Sequence, residues 1–461
     1  RYNNDTVTPA NSYFVPNSAA TNHACTSTST LSLWSGNWLN WASTQTIDAF
    51  RWALTGGPRM AGFDTPTLTV LQKTYHNGSG GRTGIYPDKV ITTSATVSGA
   101  TPFTWNSAVA RIHNMGHAMI VSAGLDLRCS FSLNDGKATH TCNGFAGAQR
   151  SCTTEHPNDT CTQTNGNPAY TVTCGYTRNA GNYIYACTGT PAGGVASTCT
   201  VTVGNTGAAN CNAPDPTFTN YTGQSSAAGT ASTSAFYRVY IQLKACDAAV
   251  GLESNCVPYA SSSKPEGLMQ KYATKLRYAA FGYLNDSDVK RDGGVMRSRM
   301  KYIGPSKPVP GSVSLPNAAA EWDATTGVML SNPDATDATA TVANALTQTG
   351  LTVAVANSGA MNYVNKFGLI SRTLKSYDPV SELYYAGLRY FRKLAPVTSY
   401  SSFAGITNAG TLSAVIDDFP VITAWDDPIL YSCQKNFVIG IGDINTHRDA
   451  NLQGSTIRTS D

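Results

Sequence analysis

The sequence is poor in charged residues. Asp, Glu, Lys and Arg make up 13% of its 461 residues, about half of the usual ~25%. The net charge of +4 is not gathered into any run of Lys and Arg, which argues against a nucleic-acid footprint and against a polybasic membrane anchor. The sequence has no run of about 18 apolar residues, so it predicts no transmembrane segment.

Several signatures of catalysis are also missing from the sequence. It contains no G-x-S-x-G, no HExxH and no convincing pair of acidic residues, so a nucleophile with its base, or two paired carboxylates, cannot be assigned. The two acidic residues that come closest to a catalytic pair are Glu253 and Glu266. We interpret Glu253 as part of a turn and Glu266 as part of a helix start. The sequence therefore predicts a protein that is not an enzyme.

One histidine pair has the spacing of a metal site. His113 and His117 lie four residues apart in a segment, Ser107 to Ala123, that we predict to be helical. That spacing can place two ligands on one face of a helix. Because a third ligand and a general-base glutamate are lacking, we interpret the pair as structural.

What the sequence does have is cysteine. It contains twelve, and ten of them lie between Cys129 and Cys256. Zinc sites need closely paired C-x-x-C knuckles or Cys/His clusters, whereas the closest two cysteines here, Cys152 and Cys161, are nine residues apart. The pattern favours disulfide bonds over a metal, and therefore an oxidising compartment.

A β-rich segment spans residues 129–232 and includes a polar linker at its end. A cysteine recurs every 9–13 residues up to Cys211, and the stretches between alternate polar and apolar residues as half-buried strands do. We predict a β-meander held by up to four disulfides, because a thin sheet cannot bury enough apolar surface alone. Their connectivity stays open among Cys129, Cys142, Cys152, Cys161, Cys174, Cys187, Cys199 and Cys211.

A second cysteine pair follows the linker. Cys246 and Cys256 are ten residues apart across a glycine-containing turn, and we predict that they are bonded to each other. The stretch Phe236 to Ala245 before them alternates as a strand does. The stretch Pro265 to Phe281 after them reads as a helix with proline at its start.

Two further helices and one strand are predicted towards the chain ends. Residues 37–54 show tryptophans at helical spacing, which we interpret as core packing rather than as a ligand platform. Residues 379–392 read as an amphipathic helix. The apolar run FVIGIG, residues 437–442, is typical of a strand buried on both faces in an α/β sheet. It is followed by Asp443, at the end of the strand where ligands bind in such sheets.

Seven sequence blocks occur in the same order as in one known family, spread over almost the whole chain. The chain resembles the PilY/PilC family of type IV pilus tip adhesins in GNWLNWAS (36–43), CDAAVGLESNC (246–256), KPEGLMQKYATKLRYAAFGYLND (264–286), RDGGVMRSRMKYIGP (291–305), MNYVNKFG (361–368), YDPVSELYYAGLRYFR (377–392) and CQKNFVIGIGDIN (433–445).

The resemblance implies a location and a set of partners. Members of this family are exported and lie at the pilus tip, on the cell surface of Gram-negative bacteria. They are expected to contact minor pilins, to bind host-cell or abiotic surfaces, and to support pilus extension. A passive scaffold at the pilus tip and an exported hydrolase of surface polymers are the alternatives that we keep open.

The resemblance also implies a fold, an α/β von Willebrand factor A-like core with a large, β-rich, disulfide-stapled insertion. The core is incomplete in this chain, since the family's Asp-x-Ser-x-Ser motif is expected upstream of Arg1 and the β-propeller downstream of Asp461. The implied segments are the start of the core (1–55), a mixed insertion (56–128), the cysteine-rich insertion with its linker (129–232), an α+β insertion (233–370) and the return to the core (371–461).

A cation site and a disulfide belong to the same implied core. The resemblance places Mg²⁺ or Ca²⁺ at Asp378, Ser381 and Asp443, because hydroxyl and carboxylate oxygens suit such ions. The alternative is that Asp378 caps a helix and that Asp443 is a solvated residue at the end of a strand. The resemblance further implies a bridge between Cys25 and Cys433 across the core.

Overall fold

A computed structural model of the chain describes most of its residues. The described residues are 1–25, 27–28, 31–78, 85–123, 128–143, 149–166, 169–191, 196–204, 208–212, 218–223, 236–311, 313–369, 374–442, 446–449 and 452.

The chain divides into two compact units. The first unit comprises Arg1–Thr46 and Gln72–Lys244, and the second comprises Ile47–Leu71 and Ala245–Asp461. The fold is mixed α/β and rich in strands, as predicted. The five segments proposed from the sequence stay a prediction, because compactness does not show which part was inserted into which.

The helices are α1 (Gly36–Ser43), α2 (Thr46–Thr55), α3 (Ser94–Ala100), α4 (Leu268–Lys271), α5 (Ala335–Thr349), α6 (Ala360–Lys366), α7 (Val380–Phe391) and α8 (Ala409–Ile416). The strands are β1 (Tyr2–Asn3), β2 (Tyr13–Phe14), β3 (Arg59–Thr65), β4 (Leu68–Gln72), β5 (Lys89–Ile91), β6 (Ala108–Arg111), β7 (Ala118–Ser122), β8 (Arg128–Asn134), β9 (Lys137–Asn143), β10 (Gln149–Thr154), β11 (Thr160–Gly166), β12 (Ala169–Asn179), β13 (Asn182–Pro191), β14 (Ser197–Val203), β15 (Ala208–Asn212), β16 (Phe218–Asn220), β17 (Phe236–Tyr240), β18 (Gln242–Lys244), β19 (Cys256–Pro258), β20 (Ser263–Pro265), β21 (Tyr278–Gly282), β22 (Val295–Lys301), β23 (Ser306–Lys307) and β24 (Leu315–Pro316).

A sheet with strand order β16-β17-β7-β6-β5 forms the centre of the first unit. Every residue of β6 and β7 is buried, which is why most of their residues are apolar and show no clear alternation. Aromatic rings pack in the same core, where Phe103 stacks on Trp105 with ring centroids 3.8 Å apart.

The helix predicted from Ser107 to Ala123 is therefore wrong. This stretch forms β6, a turn and β7, which pair antiparallel with each other. A short run of buried apolar residues does not distinguish a strand from a buried helix by periodicity. Pairing with a partner strand determines that this segment forms strands, because the partner satisfies the backbone hydrogen bonds that a buried segment must make.

The tryptophan-rich segment forms two helices instead of the one predicted over 37–54. The hydroxyl group of Ser35 accepts a hydrogen bond from the backbone N–H of Trp38 at the start of α1, and the extended backbone of Thr44 ends that helix. Trp38 is buried as predicted, whereas Trp41 and Trp52 are about half exposed. The interpretation as core packing is thus correct for Trp38 alone.

Residues 128–212, here called the cysteine module, form two antiparallel sheets. Their strand orders are β10-β9-β8-β15 and β11-β12-β13-β14. Phe131 from one sheet stacks on Tyr185 from the other, with ring centroids 4.7 Å apart, among buried cysteines. The strand-rich, disulfide-bonded character predicted here is confirmed, although the single meander is in fact two facing sheets.

The second unit contains α5 to α8 and the hairpin of β21 with β22. The helix predicted from Pro265 to Phe281 is wrong, because this stretch holds the end of β20, the single turn of α4 and most of β21. Pairing with β22 overrides the helical pattern of its last residues. The helix predicted over 379–392 matches α7 closely.

The run FVIGIG at 437–442 is not a buried strand in this structure, contrary to the prediction. It has no regular secondary structure, and Phe437 and Ile439 are 70% and 76% exposed. A strand is stable only when a neighbour takes up its backbone hydrogen bonds. Within the described part of the chain, no strand pairs with this run.

Candidate functional site

The N-terminal end of α7 carries two of the three residues predicted to bind a cation. Asp378 precedes the helix, and its Oδ1 lies 2.7 Å from Nδ1 of His447. Ser381 lies in the first turn, where its backbone N–H donates a 2.8 Å hydrogen bond to Oδ1 of Asp449. The third residue, Asp443, lies outside the described residues.

Asp378 is not the N-cap of α7. Pro379 occupies that position and makes no side-chain capping bond. The carboxylate of Asp449 instead accepts a hydrogen bond from a backbone N–H of the first turn, where the helix dipole favours negative charge. The alternative interpretation of Asp378 as a helix cap is thereby corrected.

Negative charge collects around this helix end. Burial raises the pKa of Tyr283, and the nearby carboxylates of Asp378, Asp449 and Glu382 raise it further. Glu382 lies in the first turn of α7 and is fully buried. Carboxylate and hydroxyl oxygens are the ligands that Mg²⁺ and Ca²⁺ prefer, so the donor chemistry at Asp378, Ser381 and Asp449 fits such an ion.

Sequence reasoning missed His447 and Asp449. Both lie in a polar stretch close to Asp443, about seventy residues after the start of α7. No spacing rule connects a helix start to a polar stretch so far along the chain. The one signal that could have identified them is their proximity in sequence to Asp443, which was itself a candidate.

The histidine pair His113 and His117 lies in the turn between β6 and β7 and not on a helix. The ring of His113 packs against His76, with centroids 5.1 Å apart, whereas Nδ1 of His117 lies 2.8 Å from the carbonyl oxygen of Lys73. The pKa of His76 is lowered to about 4, mainly by burial and to a smaller extent by the nearby charges of His113 and Lys73. The two histidines therefore face different partners, as a structural role requires.

The outer faces of the cysteine module are lined by hydroxyl groups. On one sheet, a row of four threonines runs across four neighbouring strands: Thr162, Thr173, Thr188 and Thr198. Their hydroxyl groups pair at 3.1 Å between the first two and 2.9 Å between the last two. The row contains no charged side chain and is exposed or half-buried, so it can offer neutral hydrogen-bond donors and acceptors.

A shallow cavity of about 350 Å³ lies on the other sheet of the module. Its lining is uncharged and comprises Ser130, Phe131, Ser132, Thr139, Thr141, Ala209 and Asn210. Hydroxyl groups dominate this lining, which extends the neutral polar character to both sheets.

The structure resolves much of the disulfide connectivity that the sequence left open. Three bridges in the cysteine module and one in the second unit are defined, and Cys199 is also disulfide-bonded. The defined bridges are Cys129–Cys142, Cys152–Cys161, Cys174–Cys187 and Cys246–Cys256.

The pair Cys246–Cys256 is the one expected from its spacing. The predicted bridge between Cys25 and Cys433 is absent, because both residues are free thiols. Cys25 lies near the carbonyl oxygen of Trp34, at 3.7 Å, and Cys433 is exposed. The prediction placed both in one A-type core, whereas they belong to different compact units.

Among the described residues, no helix has the length and apolar character needed to cross a bilayer.

Comparisons with known proteins identify one family model and one curated relative that match this chain. A family model described as the PilY1 homolog, small alpha/beta domain, matches residues 3–140. The type IV pilus biogenesis factor PilY1 homolog of Xylella fastidiosa (strain Temecula1) is 35% identical over 443 residues, which cover 95% of this chain. The chain spans 28% of the length of that relative. No solved structure matches the chain.

Proposed function

Because this chain belongs to the PilY1 family, we propose that it forms part of an exported factor for type IV pilus biogenesis. The observation that carries this proposal is the 35% identity to a protein of that name over 443 residues. The disulfides support export, since such bonds persist in oxidising compartments. Minor pilins at the pilus tip are the partners that this role implies.

We further propose that the protein is an adhesin and that the cysteine module carries its contact surface. Five of its bonded cysteines are buried, so the bridges hold a rigid sandwich behind the two outer faces. The threonine row on one face and the cavity lining on the other are uncharged and rich in hydroxyl groups. Such faces can bind host-cell or abiotic surfaces through hydrogen bonds without requiring charge on the ligand.

Removing the cysteine module from the full-length protein should separate adhesion from pilus assembly. Arg128 and Asn212 are directly opposite each other in β8 and β15, so a short Gly-Ser linker can join the chain after 129–211 are deleted. We expect a strain carrying this variant to assemble pili, counted by electron microscopy, but to lose most of its attachment to host cells or to glass.

The unmodified strain and a strain without the gene are the controls for this deletion. Normal attachment by the deletion strain would favour the passive scaffold and refute the adhesive role of the module. Loss of both pili and attachment would place the module in biogenesis and would also refute the adhesin proposal.

We also propose a Mg²⁺ or Ca²⁺ site at the N-terminal end of α7. Asp378 and Ser381 would supply oxygen ligands, with Asp443 or Asp449 completing the set. Replacing Asp378 with Asn should weaken cation binding at least tenfold in calorimetric titration and abolish the rise in melting temperature that Ca²⁺ or Mg²⁺ produces. Asp323→Asn is the matched control, since that carboxylate accepts hydrogen bonds in its own exposed turn. Equal cation affinity in both variants would refute the site.

A von Willebrand A-type core is part of the same proposal. It is supported by α7 and by the apolar character of FVIGIG, and it requires strand partners for that run in the full-length protein. A structure of the full-length protein in which residues 437–442 remain exposed would contradict it.

Glu253 and Glu266 are the two carboxylates that a hydrolase could use, and both make local hydrogen bonds. Oε2 of Glu253 accepts a 2.9 Å hydrogen bond from the backbone N–H of Cys246, and Oε1 of Glu266 accepts one from the hydroxyl group of Tyr259 at 2.5 Å. Both side chains stabilise local structure, which supports a role without catalysis.

A further inference from the structure

Two disulfides touch each other in the interior of the cysteine module. Sγ of Cys142 lies 3.5 Å from Sγ of Cys174, although the first is bonded to Cys129 and the second to Cys187. All four sulfur atoms are buried and lie within 4.8 Å of one another. Each sulfur therefore has a neighbour that is not its covalent partner.

The strand register extends this contact into a row. Cys161, Cys174, Cys187 and Cys199 are directly opposite one another in β11, β12, β13 and β14. Residues directly opposite on neighbouring strands have side chains on the same face of a sheet, with Cβ atoms about 4.5–5.5 Å apart. Cys174 and Cys187 are therefore each flanked by cysteines on both sides.

We propose that this sulfur row is an internal site of thiol–disulfide exchange. A thiolate attacks one sulfur of a disulfide, forms a new S–S bond with it and releases the other sulfur as a thiolate. If Cys142 is released from its bridge, its thiolate attacks Sγ of Cys174 and releases Cys187. One bond breaks and one forms, so nothing is oxidised or reduced, and the new bridge joins the two sheets covalently.

An external thiol has an entry point to the row. Cys152 and Cys161 are only partly buried, whereas Cys142, Cys174 and Cys187 are fully buried. A small thiol such as glutathione that attacks Cys152 becomes bonded to it and releases Cys161, which faces Cys174. Attack by Cys161 then releases Cys187, which faces Cys199. Each step conserves the number of disulfides, so the module keeps its cross-links when one bridge is opened.

Single cysteine variants test the proposal in a background with Cys25→Ser and Cys433→Ser, which removes the two free thiols. In Cys129→Ser, we expect Cys142 to bond to Cys174 and most of the free thiol to appear on Cys187 or further along the row. In Cys187→Ser, the same Cys142–Cys174 bridge should form from the opposite side and leave the thiol on Cys129. Alkylation in acid, followed by peptide mapping without reduction, locates both the thiol and the bridge.

The bridge in the second unit provides the matched control. In Cys246→Ser, the thiol should stay on Cys256, whose near neighbour is the carboxylate of Glu253 at 3.1 Å. The proposal fails if the thiol stays on Cys142 in Cys129→Ser and on Cys174 in Cys187→Ser, with the other bridges unchanged.

A measurement on the unaltered chain decides the question if these variants do not fold, which near-ultraviolet circular dichroism would reveal. The folded protein is incubated with less than one equivalent of glutathione and then mapped. Peptides cross-linked through Cys142–Cys174 or Cys161–Cys174 would support exchange. Native bridges together with a glutathione adduct alone would refute it.

Discussion

Replacing Gly267 with alanine is expected to destabilise the second unit severely. Gly267 is the N-cap of α4, and a Cβ atom there would overlap backbone atoms of Leu54 and Thr55 near the end of α2. Backbone atoms cannot rotate out of the way as a flexible side chain can. The cost should be at or above the upper end of the ~1–3 kcal/mol that overpacking usually causes, measured as a loss in the free energy of unfolding in urea.

The loss of stability should be larger still, because the substitution should also break hydrogen bonds that depend on this close contact. The side chain of Gln270 donates a 2.8 Å hydrogen bond to the carbonyl oxygen of Thr55 and accepts a 2.9 Å one from the N–H of Gly267. Gly387→Ala is the matched control, since nothing lies within 4 Å of its Cβ position in α7. That change should stabilise the protein by up to ~1 kcal/mol, and equal effects of the two changes would contradict the packing argument.

Elements whose pattern is local could be predicted from the sequence. α7 combines an amphipathic pattern with proline just before its first residue, and it was predicted to within a residue at each end. The strands of the cysteine module alternate in polarity and end at turns. In both cases, the neighbours in sequence determine the conformation.

Elements that depend on a distant partner could not be predicted. The pattern of β6 and β7 is as compatible with a buried helix as with strands, and only their pairing with each other and with β5 and β17 makes them strands. The run at 437–442 shows the converse. Its apolar residues indicate a buried strand, but the described part of the chain gives that strand no partner.

The candidate cation site illustrates the same division. Asp378 and Ser381 could be located because they begin a helix with a clear pattern. His447 and Asp449 join them only through the fold, across about seventy residues of chain. The connectivity of the disulfides within the cysteine module was equally inaccessible, because it depends on which strands pair with each other and not on spacing.

Several sequence blocks that carry the family resemblance support the core of the second unit. In the block at 291–305, Gly293 packs so tightly against the ring of Tyr400 that a Cβ atom would overlap it. In the block at 361–368, the backbone N–H of Met361 donates to the buried carboxylate of Glu321 at 2.8 Å. The first contact is close packing and the second satisfies a buried carboxylate, so both give the unusual residues of these blocks a structural purpose.

Arg297 lies in the same block at 291–305, and its replacement should have a large effect on stability. Its guanidinium group is almost fully buried and donates to the carbonyl oxygens of Ile416, at 3.0 Å, and Pro420, at 3.4 Å, and to that of Tyr283. Replacing Arg297 with Met fills most of the space but leaves the carbonyl oxygens of Tyr283 and Pro420 without this donor. The carbonyl oxygen of Ile416 keeps a hydrogen bond from the backbone N–H of Phe419, at 3.3 Å. Because each buried, unpaired acceptor costs ~1–3 kcal/mol, the free energy of unfolding should fall by about 3 kcal/mol or more in urea denaturation.

Arg299→Met is the control for this change, because Arg299 lies two residues further along the same strand. Its side chain is about one-third exposed and pairs with Asp337 at 2.9 Å and with Asp426 at 3.1 Å. Partly exposed ion pairs contribute only ~0–1 kcal/mol, so this variant should lose much less stability. Similar losses in the two variants would mean that the charge of β22, and not the pairing of the carbonyl groups around α8, stabilises this core.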